Sequence, residues 1–253
     1  MLSAALKNFH DGVFVISANG FEERQENARR ELGPDNFQFI FGINRDATSK
    51  EELIANGMYD EARAIELDRS SKPMSLGHIC CSIGHANVYR HIVENEIQLA
   101  LILEDDLTVL PVDEATISNI LAKVPEDAEL IYWGWKGETK APFHAPLKKW
   151  IYKMQHNLGL LTYTHTMIDN LYPRVFNEHF DIAGKTFFTH AYSLTYKSAE
   201  TLLRINSPVA LNADNALMQG VLSGEIRAYV SKQQLFGQRS HLDAAAMPSL
   251  TQR

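Results

Sequence analysis

Glu104, Asp105 and Asp106 stand side by side at the end of an uninterrupted apolar run, Leu99-Ala-Leu-Ile-Leu103. A run of that kind fits a strand buried on both faces. Three adjacent carboxylates repel one another and are costly in a core, so they belong where water, a cation or a partner compensates them. The carboxyl edge of a parallel sheet is such a place, because ligands of open α/β folds bind in the crevice beyond the strand ends. Hard oxygen ligands suit Mg2+ or Mn2+, and such an ion usually completes its shell with substrate phosphates. The triplet therefore reads as a metal and diphosphate site, with Asp106 as ligand and Glu104 or Asp105 assisting. Acidic residues also end ordinary strands, cap the next helix or open a solvated loop, so the surrounding elements have to decide.

Those elements alternate. Residues 12–17 read as a buried strand, 21–32 as a helix stopped by Gly33-Pro34, and 36–42 as a second strand with Phe37, Phe39 and Phe41 in alternation. Strand, helix, strand in this order predicts a parallel nucleotide-binding half-sheet. Residues 48–67 are polar and helix-permissive. Ser75 caps a helix carrying Leu76, Ile79, Cys80, Ile83, Ala86, Tyr89, Ile92 and Val93 at steps of three and four, which delivers the chain to the acidic-ended strand. A helix over 113–123 and a strand over 129–134 follow. Residues 134–180, rich in Lys, His, Pro and aromatics with weak periodicity, read as loops and short elements over the sheet's edge, where an acceptor would be held. Then come a strand over 187–195, a helix over 197–205, a helix from Asn212 and a last strand over 227–231. The expected class is α/β, a mixed and mostly parallel sheet flanked by helices.

Composition narrows the partners. The 253 residues, 45% of them hydrophobic, suffice for one substantial α/β domain. A formal net charge of −7 gives no general reason to expect nucleic-acid binding. The two cysteines, Cys80 and Cys81, are adjacent and do not favour a disulfide, which suits a reduced, cytoplasmic protein, and their number excludes a thiolate-rich metal site. They read as small buried hydrophobes on the apolar helix. Residues 1–11 lack the apolar core of a signal peptide, and no window is long and apolar enough for a membrane span. Any membrane contact is expected to be peripheral.

The block Ser75-Leu-Gly-His-Ile-Cys-Cys-Ser-Ile-Gly-His85, leading into Ala100-Leu-Ile-Leu-Glu-Asp-Asp106, resembles glycosyltransferase family 25, the lipooligosaccharide-type galactosyltransferases and the related collagen-modifying domains. Gly77, Cys81, His85, Glu104, Asp105 and Asp106 carry the match; Gly84 stands where the family usually has Ser. A second block, Thr189 to Leu203, is similar to the family's aromatic strand and following helix, and Pro208 and Asp214 fall where it places a Pro and an Asp. The opening strand, Val15-Ile-Ser-Ala-Asn, departs from the usual Ile-Asn-Leu, although Arg24 matches an arginine of the next helix. The resemblance implies one GT-A type domain over 1–253, with a nucleotide and metal half at 12–110 and an acceptor and catalytic half at 129–242. It further implies a UDP-galactose donor, a divalent cation (Mn2+ or Mg2+), inversion at the sugar, and a glycolipid or oligosaccharide acceptor at the cytoplasmic face of the inner membrane.

Hexose transfer from a nucleoside diphosphate requires that the leaving diphosphate be neutralised and that a proton leave the attacking hydroxyl. Asp214, in an otherwise apolar segment, is the candidate base, and it is equally a favoured residue type for a helix cap. Glu138, with Trp135, is a candidate for the acceptor or the donor sugar, since aromatic faces stack on sugars and a carboxylate accepts two hydroxyl bonds; Trp133 should point inward and Trp135 outward. Ser17, Arg24, Arg45 and Asp46 lie at the first two strand ends, where nucleotide contacts would fall. His85 reads as a donor-site contact or a hydrogen-bonded core histidine, His190 as part of the sugar pocket or as packing, and His241 as a further metal ligand or a loop histidine. Lys148, Lys149 and Lys153 with Trp150 and Tyr152 form a basic-aromatic group that would suit an anionic glycolipid. Two other readings stay open at this point: a metal-dependent phosphotransferase or phosphohydrolase, and an inactive sugar-binding relative.

Overall fold

The computed structural model describes residues 1–68, 71–137 and 140–239, with 188 and 189 described by their backbone only. The first half contains α1 (Ala4–Phe9), β1 (Gly12–Ala18), α2 (Glu22–Leu32), β2 (Gln38–Gly42), α3 (Lys50–Ala55), α4 (Glu61–Leu67), α5 (Leu76–Glu94), β3 (Leu99–Glu104), β4 (Leu107–Val109) and α6 (Glu114–Leu121). The second contains β5 (Leu130–Gly137), α7 (Ala145–Asn157), α8 (His165–Asp169), β6 (Arg174–Val175), β7 (Phe180–Ile182), β8 (Thr186–Thr195), α9 (Tyr196–Asn206), α10 (Ala213–Ser223), β9 (Ala228–Ser231) and β10 (Phe236–Gln238).

Eight strands form one sheet in the order β2-β1-β3-β8-β5-β9-β7-β6, and β10 pairs with β4 in a separate ribbon. The β2, β1 and β3 strands are mutually parallel, as the strand-helix-strand pattern required, and β5 is parallel to β9. Strand β8 runs antiparallel to both β3 and β5, and β7 antiparallel to β9. The α/β class expected from the alternation is the one observed.

β3 is central because its sequence allows burial on both sides. Ala100 and Ile102 pack with Val88, Ile92, Leu202 and Leu217 on one face, while Leu101 and Leu103 pack with Leu32, Ile117, Trp133 and Phe236 on the other. The alternation follows from the two-residue pleat. Helix α5 closes one face by an unusually near approach: a Cβ on Gly84 would lie 2.8 Å from Ile16 Cγ2, and one on Gly42 would lie 3.1 Å from the Gly84 Cα. Ile16 is β-branched and cannot swing away. This contact accounts for glycine at the position where the family usually has Ser.

The stretch expected to be irregular holds a 13-residue helix, α7, besides α8 and β6. Its apolar residues do recur at steps of three and four between Leu147 and Leu158, but the aperiodic Pro-, Gly- and Lys-rich sequence on either side masks that signal. Helix α1, not anticipated either, starts at Ser3, whose hydroxyl accepts from the Leu6 amide.

A polar chain ties α1 to the sheet. The Trp133 indole donates to Ser193 Oγ at 2.6 Å, the Ser193 hydroxyl donates to His10 Nε2 at 2.6 Å, and His10 Nδ1 donates to the Leu6 carbonyl at 2.6 Å. Every donor in the chain is placed for a neutral imidazole, and burial lowers the His10 pKa from 6.5 to about 4. The unfolded chain therefore binds the extra proton first as pH falls, so this contribution is complete above pH 6.5 and declines toward pH 4. Comparing urea denaturation of the wild type and His10→Gln, the wild type's advantage should shrink by roughly 3 kcal/mol across that window. A pH-independent difference would refute the neutral-imidazole chain.

Candidate active site

The register of β1 against β3 places Ile16 opposite Glu104, so the next residues, Ser17 and Asp105, meet beyond the strand ends. Ser17 donates its hydroxyl to Asp105 Oδ2 at 2.7 Å, and Arg24, from α2, donates to Asp105 Oδ1 at 3.0 Å. The same guanidinium nitrogen is 3.8 Å from Asp106 Oδ2. Asp105 and Asp106 are both buried. Burial is the main cause that raises the Asp105 pKa to about 6; Arg24 and Ser17 oppose it, and the Asp106 charge adds to it. The turn backbone is fixed from α2 as well, since Asn27 Nδ2 donates to the carbonyls of Asp105 and Leu107 at 3.1 and 2.9 Å. Arg30 and Arg239 donate to Asn27 Oδ1, and the Arg239 amide donates to the Asp106 carbonyl at 2.7 Å.

These groups wall a cleft of roughly 730 Å3 whose lining includes Ser17, Phe21, Arg24, Arg45, Cys81, His85, Gln238 and the three carboxylates. His85 lies at its inner end, almost fully buried, with Nδ1 2.8 Å from the Tyr192 hydroxyl and Nε2 3.6 Å from Glu104 Oε1. Tyr192 is in turn 2.9 Å from the Tyr89 hydroxyl. His85 thus lies beside Glu104 on the core side, beyond hydrogen-bond distance. Cys81, read from sequence as a small core hydrophobe, lines the cleft, and its ligand atom and those of His85 and Glu104 lie within 4.8 Å of one another. Burial first, then the charges of Glu104, Asp214, Asp106 and Asp105, push the Cys81 thiol well above its usual range. The hard cations that complete their shell with phosphate oxygens favour carboxylate and carbonyl oxygens over a thiol.

The donor set fits a hard divalent cation. Glu104 and Asp106 supply carboxylates, and Gln238 brings a buried Oε1 that accepts no hydrogen bond from the described residues, while its Nε2 donates to Glu104 Oε2 at 3.0 Å. Asp105 differs from the expectation of a ligand, because both its carboxylate oxygens are engaged by Ser17 and Arg24. It braces the turn.

Asp214 occupies the first turn of α10, whose cap is Asn212, its Oδ1 accepting from the Asn215 amide at 2.8 Å. Capping is therefore done by another residue, and the Asp214 charge acts on His78, Cys81, Tyr89, Tyr132 and His190. His190 is buried on β8, with Nε2 3.4 Å from the Phe236 carbonyl, and burial lowers its pKa against the charges of Glu104, Asp106 and Asp214. A side chain at Gly134 would strike its ring and the Phe236 carbonyl, so the glycine, at a register shift of β5 against β8, is what makes room for His190.

Other expected site residues fall elsewhere. Asp46 is largely exposed beside Arg45, outside the cleft lining, because the turn at 45–47 points it to solvent. Trp135 is half-buried, not outward: it packs on the core, and its indole donates to the Ser231 carbonyl at 3.0 Å. Trp133 is fully buried, as expected. Glu138 and His241 lie outside the described residues, although β10 does bring the chain back to the carboxylate turn. A second, wider cleft is lined by Lys72, His78, Tyr163, Lys185, Phe187 and Asn212 among others. The two clefts adjoin at the start of α5, where Gly77 faces one and His78 the other. Sequence reasoning missed Gln238, Asn27 and this second cleft, for which no local pattern gave a signal.

Arg24 is the cation through which the two buried aspartates are compensated. Breaking a buried ion pair from one side leaves a bare charge, so Arg24→Ala should cost about 3–5 kcal/mol in chemical denaturation at neutral pH, with partial recovery in the Arg24→Ala/Asp105→Asn double variant. A loss below about 1 kcal/mol would show that solvent compensates the pair instead.

Solved structures of similar overall shape include mannose-1-phosphate geranyltransferase from Thermus thermophilus, with 10% identity over 90% of this chain and 75% of that one and a TM-score of 0.40. Glucosyl-3-phosphoglycerate synthase from Mycobacterium tuberculosis, in complex with Mn2+, UDP and glucosyl-3-phosphoglycerate, shows 13% identity over 94% and 74% of the two chains and a TM-score of 0.37. The mixed sheet, with β8 reversed between β3 and β5, has the α/β class that the sequence implied. The model of glycosyltransferase family 25 (LPS biosynthesis protein) matches residues 10–217, which takes in the carboxylate turn, the strand of His190 and Asp214. The chain is a glycosyltransferase and belongs to family 25.

Proposed function

We propose that this chain is a metal-dependent, inverting hexosyltransferase that moves galactose from UDP-galactose onto a lipooligosaccharide- or lipopolysaccharide-type acceptor at the cytoplasmic face of the inner membrane. The observation that carries the reading is the braced Glu104-Asp105-Asp106 turn at the mouth of a cleft between the ends of β1 and β3. Glu104, Asp106 and the Gln238 carbonyl would hold Mn2+ or Mg2+, with His241 as a further ligand. When bound, the cation supplies Lewis-acid stabilisation of the departing diphosphate. Ser17, Arg24, Asp105, His85 and His190 shape the donor site, and Arg24 and Arg45 add positive charge where the diphosphate leaves. The proposed organisation is one domain, 12–110 holding the nucleotide and metal, 129–242 the acceptor and catalytic groups.

Asp214 is the proposed base. The acceptor hydroxyl oxygen forms a bond to the anomeric carbon as the bond from that carbon to the diphosphate breaks, and the hydroxyl proton passes to the Asp214 carboxylate. Its charge reaches His78, which lines the wider cleft, and Cys81, which lines the first, and this supports an acceptor lying in the wider one; Trp135 and Glu138 are the proposed acceptor contacts. Glu138 is the alternative base.

Calorimetric and thermal-shift titration with UDP should show binding that requires Mn2+ in the wild type. Asp106→Asn should lose at least about tenfold in that affinity, whereas Asp214→Asn should keep it and lose about 10²–10⁴ in kcat with a matched donor and acceptor. Phosphate release without an acceptor would replace this reading by a phosphohydrolase, and no response to UDP with any divalent cation would replace it by an inactive relative or another nucleotide.

A further inference from the structure

Helix α7 is amphipathic with the wrong side out. Leu147, Trp150, Ile151, Met154 and Leu158 recur at steps of three and four, which places them within an arc of about 100° on a helix. All five are exposed, Trp150 by 58% and Leu158 by 69%, and Phe143 before the helix and Leu160 after it are fully and 74% exposed. The side turned to the protein is the polar one. Lys149 donates to the Asp169 carbonyl at 2.7 Å, Lys153 to the Asp169 carboxylate at 2.8 Å, and Tyr152 packs with Met167, Ile168 and Leu171. A helix stabilised only by its neighbours in this chain would bury the apolar stripe.

The charge around the stripe identifies what covers it. In a chain of net charge −7 with 31 acidic residues, none lies between Glu138 and Asp169, while Lys140, Lys148, Lys149 and Lys153 do. We propose that the outer face of α7 docks in the interface of an anionic lipid bilayer, with the apolar stripe inserted and Lys140 and Lys148 flanking it at headgroup level, while Lys149 and Lys153 hold the helix to Asp169. An exposed tryptophan on a cationic helix suits that boundary. A second copy packed on the same face would set lysine against lysine, which disfavours self-association. The chain leaving α7 runs through Leu158 and Leu160 directly to Thr162, Tyr163 and Thr164, which line the wider cleft. Docking through α7 would thus bring the acceptor cleft proposed above to the surface from which a lipid-linked sugar is presented. The orientation rests on that reading of the cleft; the docking does not.

The test is vesicle flotation of the whole protein, without donor or acceptor, so that it fails or succeeds independently of the catalytic proposal. Phosphatidylglycerol-rich vesicles should retain the protein and blue-shift its tryptophan emission, pure phosphatidylcholine vesicles should bind about tenfold less, and added salt should weaken retention. The triple change Leu147→Ser, Ile151→Ser, Met154→Ser, and Trp150→Ala alone, should each reduce binding while leaving the thermal midpoint unchanged, because all four side chains are exposed. Absence of anionic-vesicle binding, or binding that these variants leave intact, would overturn the proposal. So would concentration-dependent dimerisation without lipid that the same variants abolish, since it would assign the stripe to a second copy.

Discussion

The structure turns on the charge compensation of two buried aspartates. Asp105 and Asp106 end the most deeply buried strand of the sheet, where bare carboxylates would be prohibitive. Arg24 reaches both, and to do so α2 must lie against the turn; Asn27, one helical turn later, then fixes the backbone of that turn through two carbonyls. The Arg239 contacts to Asn27 and to the Asp106 carbonyl hold β10 in place, and β10 carries Gln238 to Glu104. Charge compensation at one turn thereby sets the position of α2, β4 and β10. Burial raises the Asp105 pKa even against Arg24 and Ser17, so the carboxylate depends on both contacts to stay charged.

A second polar chain approaches the same turn from the opposite side. Tyr89 on α5, Tyr192 on β8 and His85 on α5 lead by hydrogen bonds to within 3.6 Å of Glu104. Such a chain inside a packed core specifies where its members sit, because each buried hydroxyl must keep its partner. It also explains why a strand running against its neighbours is inserted at the centre of the sheet. β8 is the element that presents Tyr192 to His85 on one face and Ser193 to His10 on the other, at consecutive residues.

What was legible in the sequence was whatever local order encodes. The run 99–106 fixed a strand and its acidic end, the Phe alternation gave β2, the Ser75 cap and the spacing after it gave α5, and the match from Gly77 to Asp106 gave the family. Three kinds of feature were not legible. The neighbour of a strand is a long-range fact, so nothing local announced that β8 separates β3 from β5. Asn27 sits in a helix with a polar sequence and reads as surface, yet it is 1% exposed. Gln238 lies in a short strand after an aperiodic loop, where a polar side chain carries no signal until its partner is known. Helix α7 is a different case: its short periodic run is masked by the aperiodic sequence around it, and the rule that the apolar stripe faces the core gives the wrong side.

The geometry also separates what must stay constant from what can vary. The first cleft is built from strand ends and buried charge, and a change at Ser17, Arg24 or Asn27 disturbs the packing of the sheet itself. The wider cleft draws on 64–78, 162–167, 185–187 and 210–222, segments that are mostly loops and helix ends. Side chains there, such as Lys72, Tyr163 and Asn215, can be exchanged without uncompensating the aspartates, since neither charge depends on them. Substitution in the wider cleft therefore leaves the charge balance of the first one intact. Gly77 and His78, adjacent in sequence and facing different clefts, mark the boundary between the two regimes. The Asp214 charge acts across that boundary, on His78 at one side and on Cys81 at the other, so it couples the electrostatics of the two clefts.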